Sequence, residues 1–287
     1  MMTKYLYLIT IFIILLIFSS CKDEKKIKES EAPFNLGNIY YKQGRYDLSI
    51  KSFDESLAIY PDNPRAWNGK GLCYYEMKQY DKSIEAYDKA LKMESKYVDA
   101  LNNKGITLNA MGKYEEAILY FDRALKVYPK FGSALINKGW SLHCLSRNDE
   151  AIECFDKALE MDQYNERAWY NKGFVLASQK KYDEALKCFD GLLAFNATHS
   201  DAWNSKGWIL ATHGKHDEAI VCYDKALQFK PNFLAALNNK GYTMTYTKQY
   251  EKAIILFDKV LEIDPNDGFA LKYKKIALEL SEKKKKK

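Results

Sequence analysis

Between residues 168 and 193 the apolar positions fall into two short helical stripes separated by a polar turn. Trp169, Lys172, Gly173 and Leu176 recur at spacings of three and four, then Gln179, Lys180 and Lys181 interrupt, and Tyr182 opens a second stripe through Cys188, Phe189 and Leu193. Neither stripe can be buried by its own helix. The same unit recurs along the chain: Gly37, Gly71, Gly105, Gly139, Gly173, Gly207 and Gly241 are each 34 residues apart. A two-helix unit repeated at that period predicts a solenoid, in which each unit packs on its neighbours. Glycine inside a helix costs roughly 1 kcal/mol against alanine. Seven of them at one slot therefore predict a close approach between helices that a side chain would block.

Other slots keep the same register. A small residue stands at Ser49, Ser83, Ala117, Ala151, Ala185, Ala219 and Ala253, and an aromatic at Phe53, Tyr87, Phe121, Phe155, Phe189, Tyr223 and Phe257. Leu57, Leu91, Leu125, Leu159, Leu193, Leu227 and Leu261 follow. Trp67, Leu101, Leu135, Trp169, Trp203 and Leu237 mark the first helix, and Pro61, Pro129, Pro231 and Pro265 close four of the units. With these residues the chain resembles the tetratricopeptide repeat (TPR) family. The resemblance implies an all-α, right-handed TPR α-solenoid of seven helix-turn-helix repeats, at 30–63, 64–97, 98–131, 132–165, 166–199, 200–233 and 234–267. It implies a protein-binding role without naming the partner.

Two rows of charge accompany the repeat. Each second helix opens with an acid (Asp47, Asp81, Glu115, Asp149, Asp183, Asp217 or Glu251), favourable beside the positive end of the helix dipole. A second acid, at Asp54, Asp88, Asp122, Asp156, Asp190, Asp224 and Asp258, has a lysine sixteen residues later at Lys70, Lys104, Lys138, Lys172, Lys206, Lys240 and Lys274. The first unit, with no predecessor, has Leu36 at the lysine slot. This predicts a ladder of structural ion pairs joining each second helix to the next first helix. The alternative is independent solvation of both groups, since exposed pairs contribute only about 0–1 kcal/mol.

The ends read differently from the array. Residues 1–20 hold a lone Lys4, the uncharged run Tyr5–Phe18, and then Ser19-Ser20 before Cys21. The run is short for a membrane-spanning helix, which needs about 20 apolar residues, and suits an export signal. Small residues directly before a cysteine resemble a bacterial lipoprotein signal, which implies a lipid on Cys21. An uncleaved anchor and a plain cleaved signal are the other two readings. Residues 21–29 are charged and lack aromatics, so they are expected to form an unpacked tether. Residues 268–281 repeat the first-helix pattern through Leu271, Lys274 and Leu278 and are expected to cap the array. Residues 282–287 form a basic tail. The segments outside 30–281 carry ten lysines and four acids, which accounts for the whole formal charge of +6. A neutral array argues against a nucleic-acid groove.

No phosphate-binding glycine loop, nucleophilic triad or dinucleotide fingerprint is present, so an enzyme and a bound cofactor are not expected. His213 and His216 bracket a turn, but His216 stands at the slot of Tyr182 and Tyr250, and two histidines make a weak metal site. Cys154, Cys188 and Cys222 share one slot on successive units, too far apart for disulfides, and Cys73 and Cys144 read as packing residues.

The remaining candidate is the first-helix face opposite the core stripe. The family's groove implies binding of an extended peptide or a helix there. One slot reads Asn38, Leu72, Ile106, Trp140, Phe174, Trp208 and Tyr242, with Tyr170 nearby. Large apolar groups there are expected to be exposed and to mark a binding surface, unless they pack against the neighbouring first helix. Beside them run Asn35, Asn103, Asn137, Asn171 and Asn239, and one residue earlier Asn68, Asn102, Asn204 and Asn238. An amide both donates and accepts, so these could hold a peptide backbone, as in the similar asparagine ladder of the O-linked N-acetylglucosamine transferase family, or could bond neighbouring helices. Asn68, Asn102 and Asn204 replace the lysines of the co-chaperone carboxylate clamp, which argues against a chaperone C-terminus as ligand. The expected function is a lipid-anchored, non-enzymatic scaffold at a bacterial envelope, binding a protein or extended peptide. The alternative is a cytoplasmic-facing or inner-membrane-anchored adaptor that keeps its N-terminal helix.

Overall fold

A computed structural model of the chain describes residues 24–285. The expected lipidation site at Cys21 and the apolar run before it lie outside the described residues. Every regular element described is an α-helix, and none is long and apolar enough to cross a membrane. The described residues divide into two compact units, one up to Leu145 and one from Ser146, so the boundary falls inside the fourth 34-residue period.

The first unit contains α1 (residues 24–42), α2 (Tyr46–Ile59), α3 (Pro64–Glu76), α4 (Tyr80–Met93), α5 (Val98–Ala110), α6 (Tyr114–Val127) and α7 (Gly132–Cys144). The second contains α8 (Asn148–Met161), α9 (Glu166–Ser178), α10 (Tyr182–Phe195), α11 (Ser200–Thr212), α12 (His216–Phe229), α13 (Leu234–Tyr246), α14 (Tyr250–Ile263) and α15 (Gly268–Lys285). Within each unit consecutive helices pack on one another, and alternate first helices also touch, as α3 with α5 and α11 with α13 do.

The glycine slot is where the two helices of a period meet. A Cβ added at Gly37, Gly71, Gly105, Gly173, Gly207 or Gly241 would lie 2.4–2.9 Å from the ring that follows sixteen residues later. Those rings, such as Phe53, Tyr87 and Phe121, are almost wholly buried, and each contributes on the order of 1.5–3 kcal/mol by leaving water. The small residue beside the ring completes the approach: Ser49 Oγ donates to the Gly37 carbonyl at 2.7 Å and Ser83 Oγ to that of Gly71 at 2.8 Å. On the other side of the first helix, Ala66, Ala100, Ala134, Ala168, Ala202, Ala236 and Ala270 are all fully buried.

The turns between the two helices share one conformation. Gly44, Lys78, Gly112, Ser146, Lys180, Gly214 and Lys248, again 34 residues apart, all have positive φ. Around Lys78 the Gln79 amide reaches back to the Tyr74 carbonyl and the Lys78 amide to that of Tyr75, both at 2.8 Å, which satisfies two carbonyls at the helix end. Between periods, side chains cap the next first helix. Asn63 accepts from the amides of Arg65 and Ala66, Asn165 from Ala168, and His199 Nδ1 from Ala202. The indole Nε1 of Trp169 and Trp203 donates to the carbonyls of Gln163 and Ala197, at 2.8 and 2.9 Å, tying the connection to the helix it enters.

All seven aspartate–lysine pairs are in contact. Lys138–Asp122 measures 2.6 Å, Lys172–Asp156, Lys206–Asp190 and Lys240–Asp224 each measure 2.5 Å, and Lys70–Asp54, Lys104–Asp88 and Lys274–Asp258 are also bonded. The lysines are the more buried partners throughout.

Two expectations change at the ends. Residues 24–29 of the expected tether are exposed but helical, continuous with the first repeat, with an i,i+4 contact between Lys25 and Glu29 at 3.8 Å. Ser30, where packing was expected to begin, is buried, and its carbonyl accepts from Ser56 Oγ at 2.9 Å. At the other end the capping helix does not stop at residue 281. It runs to Lys285, so the described part of the basic tail is helical.

Candidate functional site

First helices present the side opposite their buried stripe. In the second unit α9, α11 and α13 place Phe174, Trp208 and Tyr242 on that side, each at least 40% exposed. Trp208 and Asn239 stand between two adjoining pockets. One, about 370 Å³, is lined by Tyr170, Phe174, Phe189, Asn204 and Ser205 among others. The other, about 460 Å³, is lined by His216, Tyr242, Tyr246, Phe269 and Tyr273 among others. Neither lining contains Lys, Arg, Asp or Glu. The surface is therefore aromatic and amide-rich, suited to apolar side chains and to the polar backbone that joins them.

The rings are held in place by one another. Tyr242 meets Tyr273 edge-on with centroids 4.9 Å apart, and Phe269 lies 4.4 Å from Tyr273. His216 packs 4.7 Å from Tyr246, and its Nδ1 is buried without a hydrogen-bond partner. Tyr170 lies 6.4 Å from Phe174 and 5.4 Å from His199, and burial raises its phenol above the ordinary range. His213 turns away from any ligand role: its Nδ1 lies 2.8 Å from the Ile209 carbonyl and its ring meets Tyr182 edge-on. Among the described residues no group of three or more His, Cys, Asp or Glu is placed to hold a metal.

The asparagines divide. Asn103 Nδ2 donates to Asn68 Oδ1 and Asn137 Nδ2 to Asn102 Oδ1, both at 3.1 Å, and Asn239 Nδ2 donates to Asn204 Oδ1 at 3.0 Å. Asn238 Nδ2 donates to Asp267 Oδ2 at 3.1 Å. These amides join neighbouring first helices, and Asn68, Asn102 and Asn137 are buried. Part of the expected peptide-facing ladder is thus internal. Asn35 is exposed, while Asn38 and Asn171 are half-buried. In the first unit Leu72 and Ile106 are half-buried, and only Trp140 of that slot is exposed, 5.5 Å from His143.

Sequence reasoning missed His216, Tyr246, Phe269 and Tyr273 as part of the surface. Tyr246 follows Tyr242 by four residues on one helical face, and Tyr273 occupies the next slot after Asn239 in the amide row. Both signals were present in the register.

The described cysteines Cys73, Cys144, Cys154, Cys188 and Cys222 stand outside any disulfide. Burial pushes the thiols of Cys73, Cys188 and Cys222 up to about 11, so they stay protonated and unreactive.

Profiles of one family match along the chain: tetratricopeptide repeats at residues 34–98, 98–131, 145–209, 200–233 and 234–267. The chain is a tetratricopeptide repeat protein. Solved TPR structures share its fold. One from Parabacteroides merdae ATCC 43184 aligns at TM-score 0.68 with 18% identity, covering 88% of this chain and 99% of that one. The Cut9 and Hcn1 hetero-tetramer of the APC/C aligns at 0.67 with 17% identity over 82% of this chain, which spans 49% of the matched chain. YrrB, described as a TPR protein with an unusual peptide-binding site, aligns at 0.51 with 27% identity over 67% of this chain and 99% of its own. No curated protein matches the TPR chain.

Proposed function

We propose that this TPR protein is a non-enzymatic scaffold that binds a peptide segment of a partner protein on the first-helix face of its second unit. In this reading it is held at a bacterial cell envelope by a lipid on Cys21. The observation that carries the binding role is the uncharged aromatic surface around Trp208, open on both sides into pockets large enough for side chains. Exposed rings with fixed neighbours bury area at little conformational cost, and such residues dominate binding energy at interfaces. The peptide-binding site of the similar protein YrrB supports the reading. The anchor rests on the sequence around Cys21 alone.

The test joins Phe174→Ala with Trp208→Ala. Chemical cross-linking in envelope preparations followed by mass spectrometry should recover a partner on the wild-type protein and lose it on the double variant, at unchanged helicity. Equal cross-linking by both would remove this surface as the binding site. The mass of the mature N-terminal peptide, compared with Cys21→Ser, tests the anchor separately. An acylated peptide beginning at Cys21 supports it, and an intact Met1 favours an adaptor that keeps its N-terminal helix.

A further inference from the structure

Where both helices of a period lie in one unit, the second covers the first: α4 covers α3, α6 covers α5, α10 covers α9, α12 covers α11 and α14 covers α13. α15 departs from this plan. It runs to Lys285 without the turn that ends the other first helices. At the glycine slot it carries Lys275, where a Cβ in the other periods would already lie 2.4–2.9 Å from a second-helix ring. Leu271 and Leu278 are accordingly 50% and 42% exposed, whereas Leu237 and Met244 at the same slots of α13 are 1% and 7% exposed.

We propose that this stripe of α15 pairs antiparallel with the same stripe of a second copy of the chain. At about 100° per residue, Leu271, Lys272, Lys275, Leu278, Glu279 and Glu282 share one third of the helix circumference. Ala270, Ala277 and Ser281, which are buried, lie on the other side. Of the two leucines, Leu278 lies near the middle of the stripe, where it meets its own symmetry mate in an antiparallel pair. Charge order sets the direction. Both lysines precede both glutamates, so parallel pairing would put like charges together. Antiparallel pairing about a two-fold axis at the level of Ala277 puts Lys272 against Glu282, five residues on either side, and Lys275 against Glu279, two residues on either side. One axis satisfies both pairs and their symmetry mates, as a self-complementary interface requires.

Within the chain, none of these four charged groups forms an ion pair among the described residues. Lys275 and Glu279 stand at i and i+4, where such a pair commonly forms, and do not meet.

The test measures the mass of the full-length chain in non-denaturing detergent by size-exclusion chromatography with light scattering, up to several hundred micromolar. A dimer is expected for the wild type. Glu279→Lys with Glu282→Lys places lysine opposite lysine and should weaken dimerisation at least about tenfold, since like charges facing each other repel. Adding Lys272→Glu and Lys275→Glu to that chain reverses all four charges and should restore the dimer. All four positions are exposed, so the fold is kept, and circular dichroism checks that. A monomeric wild type, a dimer indifferent to the first pair of substitutions, or a reversed chain that stays monomeric would each overturn the proposal.

Discussion

Lys104 and Asp88 show how unequal the two halves of one contact are. The lysine side chain is 7% exposed and the aspartate 54%, with the ammonium also 4.4 Å from the centre of the Tyr120 ring. Removing the aspartate leaves a buried cation without its counter-charge, whereas removing the lysine leaves a carboxylate that water can solvate. Asp88→Ala should therefore cost about 1–3 kcal/mol and Lys104→Met less than about 1 kcal/mol, read from urea denaturation midpoints. Equal losses would show that the contact acts as an ordinary surface pair. The register made this ladder legible, because both partners recur at a fixed interval and the lysine is missing from the unit with no predecessor. The bonds between Asn103 and Asn68, or Asn137 and Asn102, were not legible in the same way. An amide donates and accepts equally well to a neighbour, a ligand or water, so its type names no partner.

At the scale of the helix pair, the periods that lie within one unit solve one packing problem with the same parts. Gly71 illustrates it: an added methyl would sit 2.4 Å from Tyr87, a ring that is 1% exposed and has no room to move. Alanine gains helix propensity there but overpacks the contact, so Gly71→Ala should destabilise by about 1–3 kcal/mol. Adding Tyr87→Leu should recover part of that loss, read from thermal melts of both variants, and no recovery would place the strain elsewhere. The glycine spacing alone announced this approach. The turns were less readable. Gly44, Gly112 and Gly214 signal a positive φ, but Lys78, Lys180 and Lys248 adopt it with side chains that give no such signal, because the packed helices on both sides fix the turn whatever residue fills it. The run of α1 back to residue 24 escaped for a related reason: composition shows what a segment cannot bury, and α1 continues outward as the extension of a helix already anchored by Ser30, Phe34 and Gly37.

Across the whole molecule, buried thiols tie stability to pH. Cys73, Cys188 and Cys222 lose their protons near 9 in the unfolded chain and near 11 in the folded one. Between those values the folded state holds more protons than the unfolded state, so their contribution is intact below pH 9 and falls towards pH 11. Urea midpoints should drop over that interval, and the drop should shrink when all three are replaced by alanine. An identical drop in the triple variant would assign it to the tyrosines and lysines instead. Fold and family were legible at this scale because the pattern repeats. The candidate surface was legible only in part, since it gathers residues such as Tyr246 and Tyr273 whose neighbours come from other periods. The ladder has one more consequence, for how such a chain can change length. Each rung spans sixteen residues and each period 34, so gaining or losing one whole period leaves every remaining aspartate facing a lysine. An insertion of any other size within a rung breaks it. Length can therefore vary freely in steps of a complete unit, as a chain of identical links can, while staying rigidly fixed within each link.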